Sequence, residues 1–245
     1  VFPACDRLKQ NHPQAKLGGS DSLLTEDQIL AFADSVNKVL PSLKNRKSLV
    51  FNNQTRTFFV SEYKAGDSPL LYREQGEKND IGTYEERYYL RNGEVVLHTS
   101  ETKGFSEQKP VTLIRDFVRN NVIFYSEQKR APSPEELAGT PFKNSTSPTL
   151  NLSSELNRMK DAVNGSAEFD LSFERITEYP QARYIILSGE ESPYRAAILV
   201  EKQDEFVKEL STNPEKYDGW KLDLQWRIRN GSEAVYVNGN LERKF

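Results

Sequence analysis

A chain of 245 residues with 36% hydrophobic and 28% charged residues has the composition of a polar but folded protein, one large domain or two small ones. A net charge of -3 and a pI near 5.7 give no broad attraction to phosphate backbones, so nucleic acid is excluded as an expected partner. One cysteine and two histidines rule out an internal disulfide and a multi-cysteine zinc site, and the chain predicts neither a metal nor a cofactor.

The cysteine, Cys5, follows Val1, Phe2, Pro3 and Ala4. From Asp6 to Ser22 the chain is polar, interrupted by Pro13, Gly18 and Gly19, with no period of 2 or 3.6. Such a segment buries too little surface to offset its ordering entropy, so residues 1–22 are predicted to be a flexible tether. A small residue before a lone cysteine, backed by a polar tether, resembles the amino terminus of bacterial lipoproteins. In that family a signal peptide is cut just before the cysteine, which is then lipid-modified and anchors the protein to an envelope membrane. The resemblance implies lipidation of Cys5 and a body in the periplasm or outside the cell, with no amphipathic surface needed on that body. Val1 in place of Met fits removal of an upstream segment, and no run approaches the ~20 apolar residues of a spanning helix. Asp6 after the cysteine would, in enterobacterial lipoproteins, favour retention at the inner membrane. Sequons at Asn53, Asn144, Asn151, Asn164 and Asn230 suggest a competing secreted origin, but an Asn-, Ser- and Thr-rich chain yields several by chance.

The first firm element is a helix. Thr25 and Gln28 form a capping box, Leu24 and Ile29 hold the hydrophobic staple positions, and Ile29, Phe32, Ala33, Val36, Val39 and Leu40 share a face before Pro41 stops it. Strands follow at Thr55–Tyr63 and Leu70–Glu74. Two hairpins come next, one turning at Asn92-Gly93 and one near Asn120-Asn121. Residues 131–152 carry Pro132, Pro134, Pro141 and Pro148 and read as a connector, with one helical turn starting at Ser133-Pro134. A second amphipathic helix places Leu152, Leu156, Met159 and Val163 together and ends at Gly165. The tail returns to strands at Ala182–Ser188 and Tyr194–Glu201, a short helix at Asp204–Leu210, and a hairpin at Leu222–Val237 turning at Asn230-Gly231.

The expected fold is α+β: antiparallel meander sheets, each covered by an amphipathic helix, in domains 23–130 and 153–245 joined by the connector. Both halves run helix, strands, then an Arg-Asn-Gly hairpin. A duplication and two separately built helix-plus-sheet segments both produce that likeness.

No phosphate-binding glycine loop, dinucleotide fingerprint, nucleophile elbow or paired-histidine zinc motif is present. Ser-x-x-Lys recurs at Ser35, Ser61, Ser106 and Ser126 without companion motifs and reads as solvated surface. The near-repeats at Phe105–Lys109 and Tyr125–Lys129 read as similar edge chemistry. Glu85 and Glu86 are adjacent on a strand, so they point to opposite faces and cannot grip one substrate. His98, with no nucleophile or orienting partner in view, reads as structural. Tyr217, Trp220, Trp226 and Tyr236 gather around the last hairpin as candidate ligand contacts, although aromatic cross-strand pairs also stabilise sheets by themselves. The expected function is a membrane-tethered envelope lipoprotein with a non-catalytic binding or assembly role toward a protein or small ligand. The alternative is a carboxylate-dependent hydrolase of cell-wall or glycan material. The two differ in whether acids converge in a cleft.

Overall fold

The computed structural model describes residues 24–104, 109–146 and 150–241. Cys5 and the tether lie outside them, as do Phe105–Gln108 and Pro148. The chain is α+β, dominated by a large mixed sheet, and divides into two compact units that interleave in sequence. The first takes residues 1–46, 61–74 and 80–158; the second takes 47–60, 75–79 and 159–245.

The first unit opens with α1 (Glu26–Val39). The capping box forms as read: the Gln28 N–H donates to Thr25 Oγ1 at 3.3 Å, and the Thr25 N–H donates to Gln28 Oε1 at 2.9 Å. Pro41 falls in the 3₁₀ turn Leu40–Ser42 that ends the helix. The strands that follow in the chain are β1 (Lys44–Lys47), β2 (Phe51–Asn52), β3 (Arg56–Ala65), β4 (Ser68–Lys78), β5 (Gly82–Arg91), β6 (Glu94–Lys103), β7 (Val111–Arg119) and β8 (Val122–Ala131), of which β2 and one end each of β3 and β4 belong to the second unit. Strands β3 to β8 neighbour one another in chain order, and β1 pairs with β3. Two residues in the left-handed region close each of two tight hairpins, Asn92 and Gly93 (φ 54° and 82°) and Asn120 and Asn121 (φ 52° and 59°). Ile29, Ala33 and Val36 of α1 pack on Tyr63, Leu71, Tyr89, Leu97, Phe117 and Tyr125 of the sheet. The side-chain period of two therefore sends Glu85, Arg87 and Tyr89 to the α1 side of β5, and Tyr84, Glu86 and Tyr88 to the other. After β8 come the single-turn α2 (Pro134–Gly139), capped by Ser133, and the short edge strand β9 (Lys143–Asn144).

Helix α3 (Leu152–Asn164) starts on Asn151, whose Oδ1 accepts the Ser154 N–H at 3.1 Å. Its residues from Met159 onward belong to the second unit. That unit continues with β10 (Ser172–Tyr179), β11 (Ala182–Ser188), β12 (Arg195–Val200), α4 (Glu205–Thr212), α5 (Pro214–Tyr217), β13 (Asp223–Arg229) and β14 (Glu233–Asn240). Strands β10, β11 and β12 pair antiparallel. One end of β12 pairs antiparallel with β2, through Arg195 opposite Asn52. The other end pairs in parallel with β14, through Ile198 opposite Ala234 and Leu199 opposite Val235. That parallel pair makes the sheet mixed. The connection through α4, α5 and β13 supplies the long crossover that parallel neighbours need. The core of the unit is aromatic: Phe51 lies 4.7 Å from Phe169, Phe58 lies 5.6 Å from Tyr194, and Phe169 stacks on Tyr194 at 4.7 Å.

Candidate functional site

Two places in the first unit gather chemistry, one on each face of its sheet. On the face turned away from α1, residues opposite one another across four strands form a buried polar row. His98 on β6 lies opposite Tyr88 on β5 and Asp116 on β7, and Asp116 lies opposite Ser126 on β8. His98 Nδ1 is 2.9 Å from Asp116 Oδ2, and Nε2 is 2.7 Å from Glu86 Oε2. The Ser126 hydroxyl donates to the other Asp116 oxygen at 2.6 Å, and the Ser100 hydroxyl donates to Glu86 at 3.2 Å. Burial works against the imidazolium, but the hydrogen bonds the ring donates to Asp116 and Glu86 outweigh it and lift the His98 pKa from 6.5 to about 9. Burial, reinforced by the Glu86 charge, pushes the Tyr88 phenol well above its ordinary value.

The same face carries further buried acids, each with its partner. Tyr84 donates to Glu74 at 2.6 Å, Arg158 of α3 donates to Glu74 at 2.6 Å and to Glu155 at 2.9 Å, and Tyr72 donates to Glu62. Despite its burial, Arg158 is held firmly charged by Glu74 and Glu155. Both nitrogens of His98 are occupied by carboxylates, and a general base needs one free. The row braces the sheet.

On the opposite face, α1 and the sheet enclose a cleft of about 170 Å³. Leu30, Ala33 and Asp34 of α1 supply one wall. The floor is two rows of facing side chains: Arg87, Thr99 and Arg115 in one, Glu85, Glu101 and Leu113 in the next. Arg87 pairs through Nε with Glu85 at 2.5 Å and through Nη1 with the Tyr89 hydroxyl at 3.4 Å. Arg115 reaches Glu127 at 3.4 Å and lies 3.9 Å from the Phe142 ring centre. Each arginine is about a third exposed. Asp34 and Glu101 are exposed, and neither makes an ion pair among the described residues. The cleft is thus concave, part apolar and charged with both signs.

The aromatics of the last hairpin do not converge. The Tyr217 hydroxyl donates to Glu209 at 2.8 Å, and its ring meets Trp220 edge-on at 5.0 Å. Tyr236 stacks on Phe206 at 5.8 Å and donates to Asp204 at 2.7 Å. Trp226 lies opposite Tyr236 and gives its indole N–H to the Ser48 carbonyl at 3.1 Å. Tyr217 and Tyr236 are buried, whereas Trp220 and Trp226 keep part of their surface in solvent.

Sequence reasoning weighed Glu85 and Glu86 only as a carboxylate pair and passed over the rest of the cleft and Asp116. The separation of Glu85 from Glu86 onto opposite faces is as read: Glu86 reaches His98 and Glu85 lines the cleft. The signal available for the cleft was Glu85 and Arg87 alternating on the same face as Tyr89, which puts charge beside the helix-covered core. Among the described residues no helix is long and apolar enough to cross a membrane, and no group of three or more His, Cys, Asp or Glu side chains is placed to hold a metal ion. Compared with protein-family models, curated proteins and solved structures, the chain matches none.

Proposed function

We propose that this protein is a non-catalytic binding protein of the bacterial cell envelope, tethered to a membrane by lipid on Cys5, with the cleft beneath α1 as its ligand site. The body then sits in the periplasm or outside the cell. The cleft carries this reading. It is smaller than the ~300–1,000 Å³ of drug-sized pockets, so it suits a small molecule or the end of a larger one. The tether is supported by Ala4-Cys5 and the polar stretch behind it. Trp220 and Trp226, each partly open to solvent, are the aromatics of the last hairpin that a sugar or peptide would reach.

A second reading, a hydrolase, draws on the same cleft because Asp34, Glu85 and Glu101 are three acids on its lining. Against it, Glu85 is held by Arg87 and the other two are exposed. The proton donor of a glycosidase pair sits instead in an apolar pocket that keeps its proton on.

The test is retention. Thr99→Trp fills the cleft from a strand position that accepts a large aromatic. Wild-type protein, incubated with a small-molecule extract of bacterial cells and desalted, should carry ligand visible by native mass spectrometry, and the variant should not. In cells expressing the precursor, Cys5→Ser should move the protein from the membrane fraction to the soluble one. Equal retention by both proteins would remove the cleft from the argument, and an equally membrane-bound Cys5→Ser would remove the anchor.

A further inference from the structure

We infer that the cleft beneath α1 recognises a small zwitterion, a molecule bearing an ammonium and a carboxylate on the same carbon beside a short apolar group. This rests on the cleft being a ligand site, and it follows from how charge is laid out on the floor.

Across the strands, Arg87 on β5 faces Thr99 on β6, which faces Arg115 on β7. Two residues along, Glu85 faces Glu101, which faces Leu113. Two residues of strand span roughly 7 Å. One row therefore carries guanidinium groups and the next carries carboxylates, their backbones about 7 Å apart, and Arg87 reaches across to Glu85 at 2.5 Å. A simple anion would meet the arginines and be repelled by the acids, and a simple amine would meet the reverse. Only a molecule carrying both charges answers both rows.

The hydrogen-bonding capacity agrees. A guanidinium has five N–H donors. Arg87 commits Nε and Nη1 within the protein, and Arg115 commits one Nη1 contact, at 3.4 Å. The acidic row has the matching demand. Glu85 and Glu101 are like charges directly opposite, an arrangement that costs stability. Arg87 answers Glu85, while Glu101 and Asp34 have no cation among the described residues. An ammonium between Glu101 and Asp34 relieves both. Leu30 and Ala33 on the helix and Leu113 on the floor then offer an apolar surface to the rest of the molecule.

Three probes with one isobutyl group test this on the full chain by titration calorimetry: L-leucine, 3-methylbutylamine, which lacks the carboxylate, and 4-methylpentanoate, which lacks the ammonium. Leucine should bind saturably, with each singly charged analogue weaker by more than about tenfold. Glu101→Gln, a change at an exposed and unpaired side chain, should weaken leucine by a similar factor without lowering the thermal midpoint. Thr99→Trp should abolish binding. If the amine or the acid binds as well as leucine, the cleft reads a single charge and the inference falls. If no probe binds but wild-type protein still retains a cargo that Thr99→Trp loses, the zwitterion is wrong and the cleft stands. Loss of both results overturns the two together.

Discussion

His98 joins four strands through one imidazolium. Glu86 comes from β5 and Asp116 from β7, and the Ser126 hydroxyl on β8 closes the chain through Asp116. For both ring nitrogens to donate, the ring must be protonated, and the pKa of about 9 keeps it so at neutral pH. The folded value lies above the unfolded 6.5, so the stabilisation is complete below pH 6.5 and is lost as the pH climbs through 9. His98→Gln keeps one donor and no charge. It should cost about 3–5 kcal/mol at pH 6, the usual loss when one member of a buried ion pair is removed. At roughly 2–4 °C per kcal/mol, thermal melts will resolve it. The gap between wild type and variant should narrow steadily between pH 6.5 and 10. A gap that is constant with pH would mean His98 contributes shape alone.

The elements show what the sequence made legible and where the signal failed. Helix α1 was legible because its cap, staple and stop are all local. The hairpins were legible because Asn-Gly and Asn-Asn supply two left-handed residues in succession. Strand β10 was missed, and its edge position explains why. A bulge between Phe173 and Arg175 breaks the alternation, and Glu174, Arg175 and Glu178 put on it the charge that edge strands carry. Strand β4 was foreseen only as Leu70–Glu74, since Gly76, Glu77 and Lys78 lack the β-branched and aromatic residues that mark a strand. Gly76 has a reason of its own. A Cβ there would lie 2.1 Å from the Thr57 carbonyl and 2.8 Å from the Phe58 Cβ. Gly76→Ala should therefore cost about 1–3 kcal/mol, the range for overpacking. Gly139 in α2 has open space at the same position, and Gly139→Ala should gain about 0.5–1 kcal/mol. Urea titrations of the two variants would separate them, and equal midpoints would refute the steric argument. The cleft and the His98 row were illegible for a different reason: both depend on register between strands, which no local pattern encodes.

At the scale of the molecule, the division at the connector and the division by packing differ. The expected boundary runs between 23–130 and 153–245, while the second unit also takes residues 47–60 and 75–79. Those residues bring Phe51 and Phe58, both fully buried, into the aromatic core with Phe169 and Tyr194. A fragment 153–245 lacks them, along with the β2 partner of β12. Expressed alone, it should bind a hydrophobic dye and unfold without a sharp transition. Mixing it with fragment 23–146 should restore a cooperative melt. A fragment 153–245 that melts cooperatively alone would show that the borrowed residues are dispensable.

The interleaving also sets a timetable. Phe51 and Phe58 leave the ribosome more than a hundred residues ahead of Phe169 and Tyr194. At 5–20 residues per second that is a wait of roughly 6–30 s. Through it, two large aromatic rings on a newly made chain have nothing of their own unit to pack against. The second unit is closed last although part of it is synthesised early, so folding during synthesis passes through a form with that surface bare. A cell making this protein must carry it across that interval, on the ribosome or in transit, with something holding those rings out of water.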